Sequence, residues 1–456
     1  MRDLRRLSVL LAACVAAAVD ASSAFAQSRG KPVLEDYVRE PMPPGIQVIV
    51  ADFEGPVFAD ADGKTLYTWP VTPLRNGDAG EQKGKPTCGD VVTKVNAGLM
   101  SPYPGGLELP ELDTRPSCAQ MWPPVFAPAG ARPVGKFSVV DRPDGRRQWA
   151  YEGYALYTSV LDEMPGDVRG ATKKKTTRGD SQGAGREPAA PPENNPPQFK
   201  VFTLQSGRLL TTSDSRSVYV SDRDAPGRSN CVAQCLDDWT PVQAPAHVSQ
   251  QGDWTVIDHP TGIKQWAFRR QPVYTRNADT ERPSLEGGDM PGWDNVYVTR
   301  PPAWPKGFGP QDMQSGIVLA DAKGRTIYTY QCMDDSVDQL PCDFPEAPQA
   351  YRLAVSGRGD QALSMKNFPY VLAERGATSS SRRWQVISLD PKTGKRAAAG
   401  QPDAISVWAY RGRPVYYCAR DKAPGDAECD TWGEFYGWRN GYKAFWLRDD
   451  YGDNDE

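Results

Sequence analysis

The text W-A-[YF]-x5-Y is written three times along the chain. It runs from Trp149-Ala150-Tyr151 to Tyr157, from Trp266-Ala267-Phe268 to Tyr274, and from Trp408-Ala409-Tyr410 to Tyr416. The first Trp and the last Tyr stand eight residues apart in every copy. A fixed internal spacing of aromatic residues marks repeated supersecondary units, so the 456-residue chain reads as copies of one module.

A hairpin opens each copy. Val57 to Tyr67 aligns position for position with Val318 to Tyr328, and Leu209 to Tyr219 is a weaker middle copy with Ser215 where the others have Gly63 and Gly324. Apolar runs on either side of D-x-x-G fit two strands and a tight turn, because Gly supplies the positive φ that such a turn needs. The second part begins at a cysteine: Cys118-x3-Trp122-Pro123-Pro124 matches Cys235-x3-Trp239-Thr240-Pro241. Phe137 to Val140, Trp254 to Ile257 and Trp384 to Ile387 then alternate as strands do. Run lengths and turn spacing predict about five or six short strands per module, and helical periodicity is scarce.

The fold class expected is all-β: tandem small antiparallel modules, as sandwich, meander or propeller-like blades, stapled by disulfides. The division expected is a signal peptide at 1–26, modules at 46–204, 205–300 and 311–448, and an acidic tail at 449–456. Residues 171–198 run from a lysine patch into Pro- and Asn-rich text and read as a disordered loop inside the first module. Phe199 to Phe202 reads as the closing strand of that module.

Three arginines within Met1 to Arg6, an apolar run from Leu7 to Val19 and Ala24-Phe25-Ala26 read as an export signal cleaved after Ala26. A second reading takes Leu11-Ala12-Ala13-Cys14 as a lipobox with a lipid anchor at Cys14; cleavage after Ala26 is favoured because few apolar residues precede Cys14. No later stretch is apolar for long enough to span a membrane. The remaining eight cysteines are even in number, as disulfides in an oxidising compartment require. Locality pairs Cys88 with Cys118, Cys231 with Cys235, Cys332 with Cys342, and Cys418 with Cys429. Their scattered spacings, with no nearby His, do not resemble a zinc site, so no metal is expected.

The motifs G-x-x-L-x-D-x-x-G-x-x-L-Y, C-x3-W-P-P and Q-W-A-Y-x-G-x-x-L-Y-x4-D-x-x-P-G-D together resemble a bacterial family of secreted and lipid-anchored repeat proteins known by a Tyr-x4-Asp motif. Tyr157/Asp162, Tyr219/Asp224, Tyr274/Asp279 and Tyr416/Asp421 satisfy that spacing. Tyr67 and Tyr328 depart from it, with Thr72 and Met333 where Asp is expected, and the third copy carries an insertion between Cys342 and Trp384. The resemblance spans residues 46–448 as three copies and implies an envelope location; the family's function is unknown.

Two readings compete for the motif residues. A Tyr at a strand end with Asp five residues on can hold the following turn, which is favoured over a cation- or sugar-binding role because single carboxylates rarely hold a metal. Trp149, Trp266 and Trp408 sit in strands and read as core before they read as ligand platforms, whereas Trp122 and Trp239 are the better surface candidates or the cover of a disulfide. There is no P-loop, H-E-x-x-H or C-x-x-C-H text. The only histidines, His247 and His259, both fall in the second copy. With 53 basic and 57 acidic residues interspersed, nothing marks a nucleic-acid surface.

The expectation is a periplasmic or secreted, non-enzymatic binding or interaction module, with no resident cofactor and with an envelope protein or extended ligand as partner. The alternatives are a redox accessory holding quinone or haem, and a carbohydrate-binding or glycoside-hydrolysing protein.

Overall fold

The computed structural model describes residues 35–51, 54–74, 77–90, 117–170, 186–204, 206–280, 283–300, 304–331, 352–353, 355–381, 383–433 and 441–449. The signal segment, Cys14, Cys332, Cys342, Met333, residues 171–185 and the tail beyond 449 lie outside the described residues.

The D-x-x-G text makes the turn it predicts, and side chains lock it. Asp60 Oδ1 accepts from the amides of Asp62 and Lys64, and Asp321 Oδ1 accepts from those of Lys323 and Arg325. Gly63 and Gly324 adopt φ of 80° and 76°, and Ser215 is forced into the same left-handed region at 71°. Each turn joins a six-residue strand to a short strand that begins with tyrosine: Gly55–Asp60 to Tyr67–Thr68, Gly207–Thr212 to Tyr219–Ser221, and Gly316–Asp321 to Tyr328–Gln331.

A second hairpin follows with the same plan. Phe137–Asp141 pairs Arg147–Tyr151, Trp254–Asp258 pairs Lys264–Phe268, and Trp384–Leu389 pairs Ile405–Tyr410, all antiparallel. Each leads through a two-residue turn to a second tyrosine, at Tyr157, Tyr274 and Tyr416. The two tyrosines then face each other across antiparallel backbone as Tyr67↔Tyr157, Tyr219↔Tyr274 and Tyr328↔Tyr416. The repeating unit is therefore half the length that the W-A-[YF]-x5-Y text suggests.

The halves are interlocked by their return strands. Trp239–Pro241, which follows the first tyrosine of the middle group, pairs Tyr274–Arg276 of the other half; Trp293–Asn295, which follows the second, pairs Tyr219–Ser221. The amide of Val242 donates to the Val273 carbonyl at 3.0 Å, and that of Val296 to Val218 at 2.9 Å. Val125 with Leu156 and Ala189 with Leu66 repeat the exchange in the first group, as do Val371 with Val415 and Phe445 with Ile327 in the third. Such reciprocity is the signature of a two-fold interface, here built within one chain.

Cores form within these groups. Trp149, Trp266 and Trp408 are buried, with Phe137 and Tyr151, Trp254 and Phe268, and Phe445 and Val415 among their cluster neighbours. A buried Trp removes enough area from water to contribute on the order of 5 kcal/mol before ordering costs. No helix of the described residues is long and apolar enough to cross a membrane.

Four expectations need correction. Phe199–Leu204 pairs with Gly207–Thr212 and so opens the second group; the strand closing the first is Glu187–Pro188, which returns to Tyr67–Thr68. From Arg186 on, within the stretch read as a disordered loop, the described chain is held in place, because Ala189 supplies the exchanged backbone bonds and Glu193 bridges Tyr37. Trp122 and Trp239 are 1% and 4% exposed, since each lies beneath the other half rather than at the surface. The third copy's insertion contains a helix, Gln361–Asn367, capped by the Asp360 carboxylate on the Leu363 amide.

Candidate functional site

The exchange of return strands decides which carboxylate each tyrosine meets. In the middle group the Tyr219 hydroxyl donates to Asp279 Oδ2 and the Tyr274 hydroxyl to Asp224 Oδ2, both at 2.7 Å. Neither tyrosine bonds the aspartate five residues after it. The same crossing gives Tyr67 to Asp162 at 2.7 Å and Tyr328 to Asp421 at 2.9 Å. The second carboxylate oxygen holds the loop beyond: Asp162 Oδ1 accepts from the Arg169 and Gly170 amides, Asp224 Oδ1 from Asn230, and Asp421 Oδ1 from Glu428. Asp162, Asp224 and Asp421 thus each fasten their own loop to the opposite half's tyrosine.

Tyr157 finds a glutamate instead. With Thr72 in the expected place of the aspartate, the Tyr157 hydroxyl donates to Glu81 Oε1 at 2.8 Å, and that oxygen also accepts from the Thr87 and Cys88 amides. Glu81 was hidden in the sequence by the longer loop before it. Its one trace is a glycine three residues on: Gly84 and Gly227 each donate to the turn of the facing hairpin, at Gly153 and Arg270. Tyr416 packs against Tyr370 and Tyr442, with Arg352 5.5 Å above its ring; residues 332–351 lie outside the described residues.

Beneath the tyrosines, the axis of each group carries a stacked pair that motif reading missed. Trp239 and Trp293 stack at 3.6 Å with planes 9° apart, and Tyr219 and Tyr274 meet them edge-on. Phe368 and Tyr442 occupy the same two positions in the third group, at 3.5 Å and 8°. In the first group the partner of Trp122 is Arg186, whose guanidinium lies 4.3 Å from the Trp122 ring centre and 4.2 Å from that of Trp69. These positions stand three residues before the exchanged Val, Ala or Phe, a signal that becomes visible only when the halves are aligned.

Electrostatics follow from burial. Desolvation pushes the phenols of Tyr67, Tyr157, Tyr219, Tyr274 and Tyr328 well above their ordinary range, and the neighbouring carboxylate adds to this in each case. Burial raises Asp162 to about 7 and Asp421 to about 6 despite the donors aimed at them, and raises Asp279 as well. A neutral, buried, hydrogen-bonded phenol is a poor nucleophile and a poor acid. The arrangement fastens loops; it does not present a reacting atom to solvent.

Disulfides brace the same loops. Cys88–Cys118, Cys231–Cys235 and Cys418–Cys429 are bonded. His259 is buried and bonds the Cys231 carbonyl at 3.0 Å, a structural use of one of the two histidines. No cluster of three or more metal-binding side chains occurs among the described residues. Cavities at Glu54–Arg383–Arg411 and at Asp36–Asn194–Arg269 are each large enough for about one ordered water.

Residues 138–177 match a family described as a secreted repeat of unknown function. That segment starts within the Phe137–Asp141 strand and carries Trp149, Tyr157 and Asp162, so one match covers about one half-unit. No curated protein and no solved structure matches this chain.

Proposed function

We propose that this chain is an exported cell-envelope repeat protein that binds a partner protein or extended ligand without catalysing a reaction. The observation that carries this reading is an equivalence at the surface. Phe126 and Leu372, each next to the exchanged residue of its group (Val125 and Val371), occupy the same register position and expose 44% and 62% of their surface. Gln243 takes that position in the middle group, bridging Gln265 as Phe126 bridges Gln148. The Tyr–Asp pairs are used internally, which leaves recognition to such outward positions. Similar sites on repeated units favour one extended or multivalent partner, whose second contact is intramolecular.

The three sheet groups serve in this reading as repeat modules, exported by cleavage after Ala26 or held at a membrane by lipid on Cys14. The intact mass of the native protein separates those two routes. A photo-crosslinking residue in place of Phe126 or Leu372, irradiated in intact cells, tests the binding role. An adduct of the same mass at both positions is expected, and none at the exposed control Asp62. Absence of adducts at both Phe126 and Leu372 overturns the surface assignment. A stoichiometric chromophore in native protein would favour the quinone- or haem-binding alternative instead.

A further inference from the structure

The open ends of the second hairpins hold one charged pair each, and the third group breaks the pattern. In the first group Lys136 bonds Glu152 at 3.0 Å; in the second Arg269 bonds Asp253 at 2.8 Å. The equivalent positions of the third group are Arg383 and Arg411, two like charges whose backbones are tied by the Arg411 amide donating to the Arg383 carbonyl at 2.8 Å. Like charges side by side at a half-buried strand end are unfavourable unless a third group neutralises them.

Glu54 of the first group supplies that charge. It lies in the turn between Ile46–Ala51 and Gly55–Asp60, immediately before Gly55; the corresponding turns have Ser206 before Gly207 and Ser315 before Gly316. Its carboxylate contacts the Arg383 guanidinium directly and lies 3.8 Å from that of Arg411. Arg411 also donates to the Val168 carbonyl, again in the first group, at 2.5 Å. The acid unique to one copy therefore meets the arginine pair unique to another.

Each buried apolar cluster of the described residues lies within a single sheet group. Groups joined without a shared apolar core are free to move unless specific polar contacts hold them.

We propose that Glu54 is an ionic latch that holds the third sheet group against the first, and that removing its charge lets the third group swing away. The test uses the mature full-length chain and small-angle X-ray scattering, with near-ultraviolet circular dichroism as the measure of folding. Glu54→Ser restores the residue of the other copies and removes the carboxylate from the arginine pair. Adding Arg383→Asp to it restores the self-neutral pair of the second group, so the hairpin keeps its charge balance while the link to the first group is lost. The expected result is a larger radius of gyration and maximum dimension in the double variant, with wild-type near-ultraviolet dichroism. A double variant that keeps the wild-type scattering profile overturns the latch, whatever Glu54→Ser does alone.

Discussion

The Tyr219 hydroxyl donates at 2.7 Å to Asp279, a residue 60 positions away, and passes over Asp224, five positions on. Asp224 is taken by Tyr274, so the two motifs of the middle group complete each other. The Tyr-x4-Asp spacing sets the separation between a strand end and a loop, and the exchange of return strands sets who bonds whom.

Removing a donor from such a pair strands a buried carboxylate. Tyr67→Phe leaves Asp162, 3% exposed, without its hydroxyl partner and is expected to destabilise the first group by about 1–3 kcal/mol. Chemical denaturation of the variant checks this; an unchanged midpoint would show that the bond contributes nothing.

Proton linkage gives the pair a pH signature. Burial raises Asp162 from 3.8 to about 7 in the folded chain, so folding favours its protonated form. Its contribution to stability is fully present below 3.8 and is lost as pH rises through about 7. Asp421, raised to about 6, behaves likewise over a narrower window. Thermal melting across that range should fall with rising pH in the wild type and fall less in Asp162→Asn. Equal slopes would remove Asp162 as the source.

The hairpin turns make opposite predictions at equivalent positions. A Cβ on Gly63 would stand 2.7 Å from Pro165 Cβ, and one on Gly324 2.5 Å from Pro424 Cβ, at backbone angles that L residues avoid. Gly63→Ala and Gly324→Ala should each cost about 1–3 kcal/mol. Ser215→Gly, which relieves a positive φ, should raise stability by up to about 1 kcal/mol, less the gain in unfolded-chain entropy. Melting temperatures of the three variants decide; a fall for Ser215→Gly would mean that its bond to Lys200 outweighs the strain.

Stacked indoles at 3.6 Å should couple their electronic transitions. The protein should show an exciton couplet in the tryptophan band of its circular dichroism, abolished by Trp293→Phe. A couplet that survives this substitution would have to come from another pair.

Local features were legible in the sequence and crossed ones were not. The D-x-x-G turns could be read because the Asp60 and Gly63 requirements fall within four residues. The buried places of Trp149, Trp266 and Trp408 agree with strand patterning. The partner of Tyr219 depends on a return strand, Trp293–Asn295, far along the chain, and no spacing within one motif contains that information. Glu81 was missed because an enlarged loop displaced it from the aspartate position. Arg186 was missed because a guanidinium replaces an aromatic ring on Trp122, so composition alone disguises the equivalence. Phe199–Leu204 reads as a closing strand yet opens the second group, because closing and opening strands share the same apolar alternation.

A double-mutant cycle on the middle group tests the crossed pairing most directly. Tyr219→Phe is combined with Asp279→Ala in one cycle and with Asp224→Ala in another, and unfolding is followed by the Trp239–Trp293 signal. The crossed arrangement predicts a coupling of about 1 kcal/mol or more between Tyr219 and Asp279, and additivity between Tyr219 and Asp224. Coupling confined to Tyr219 and Asp224 would contradict it.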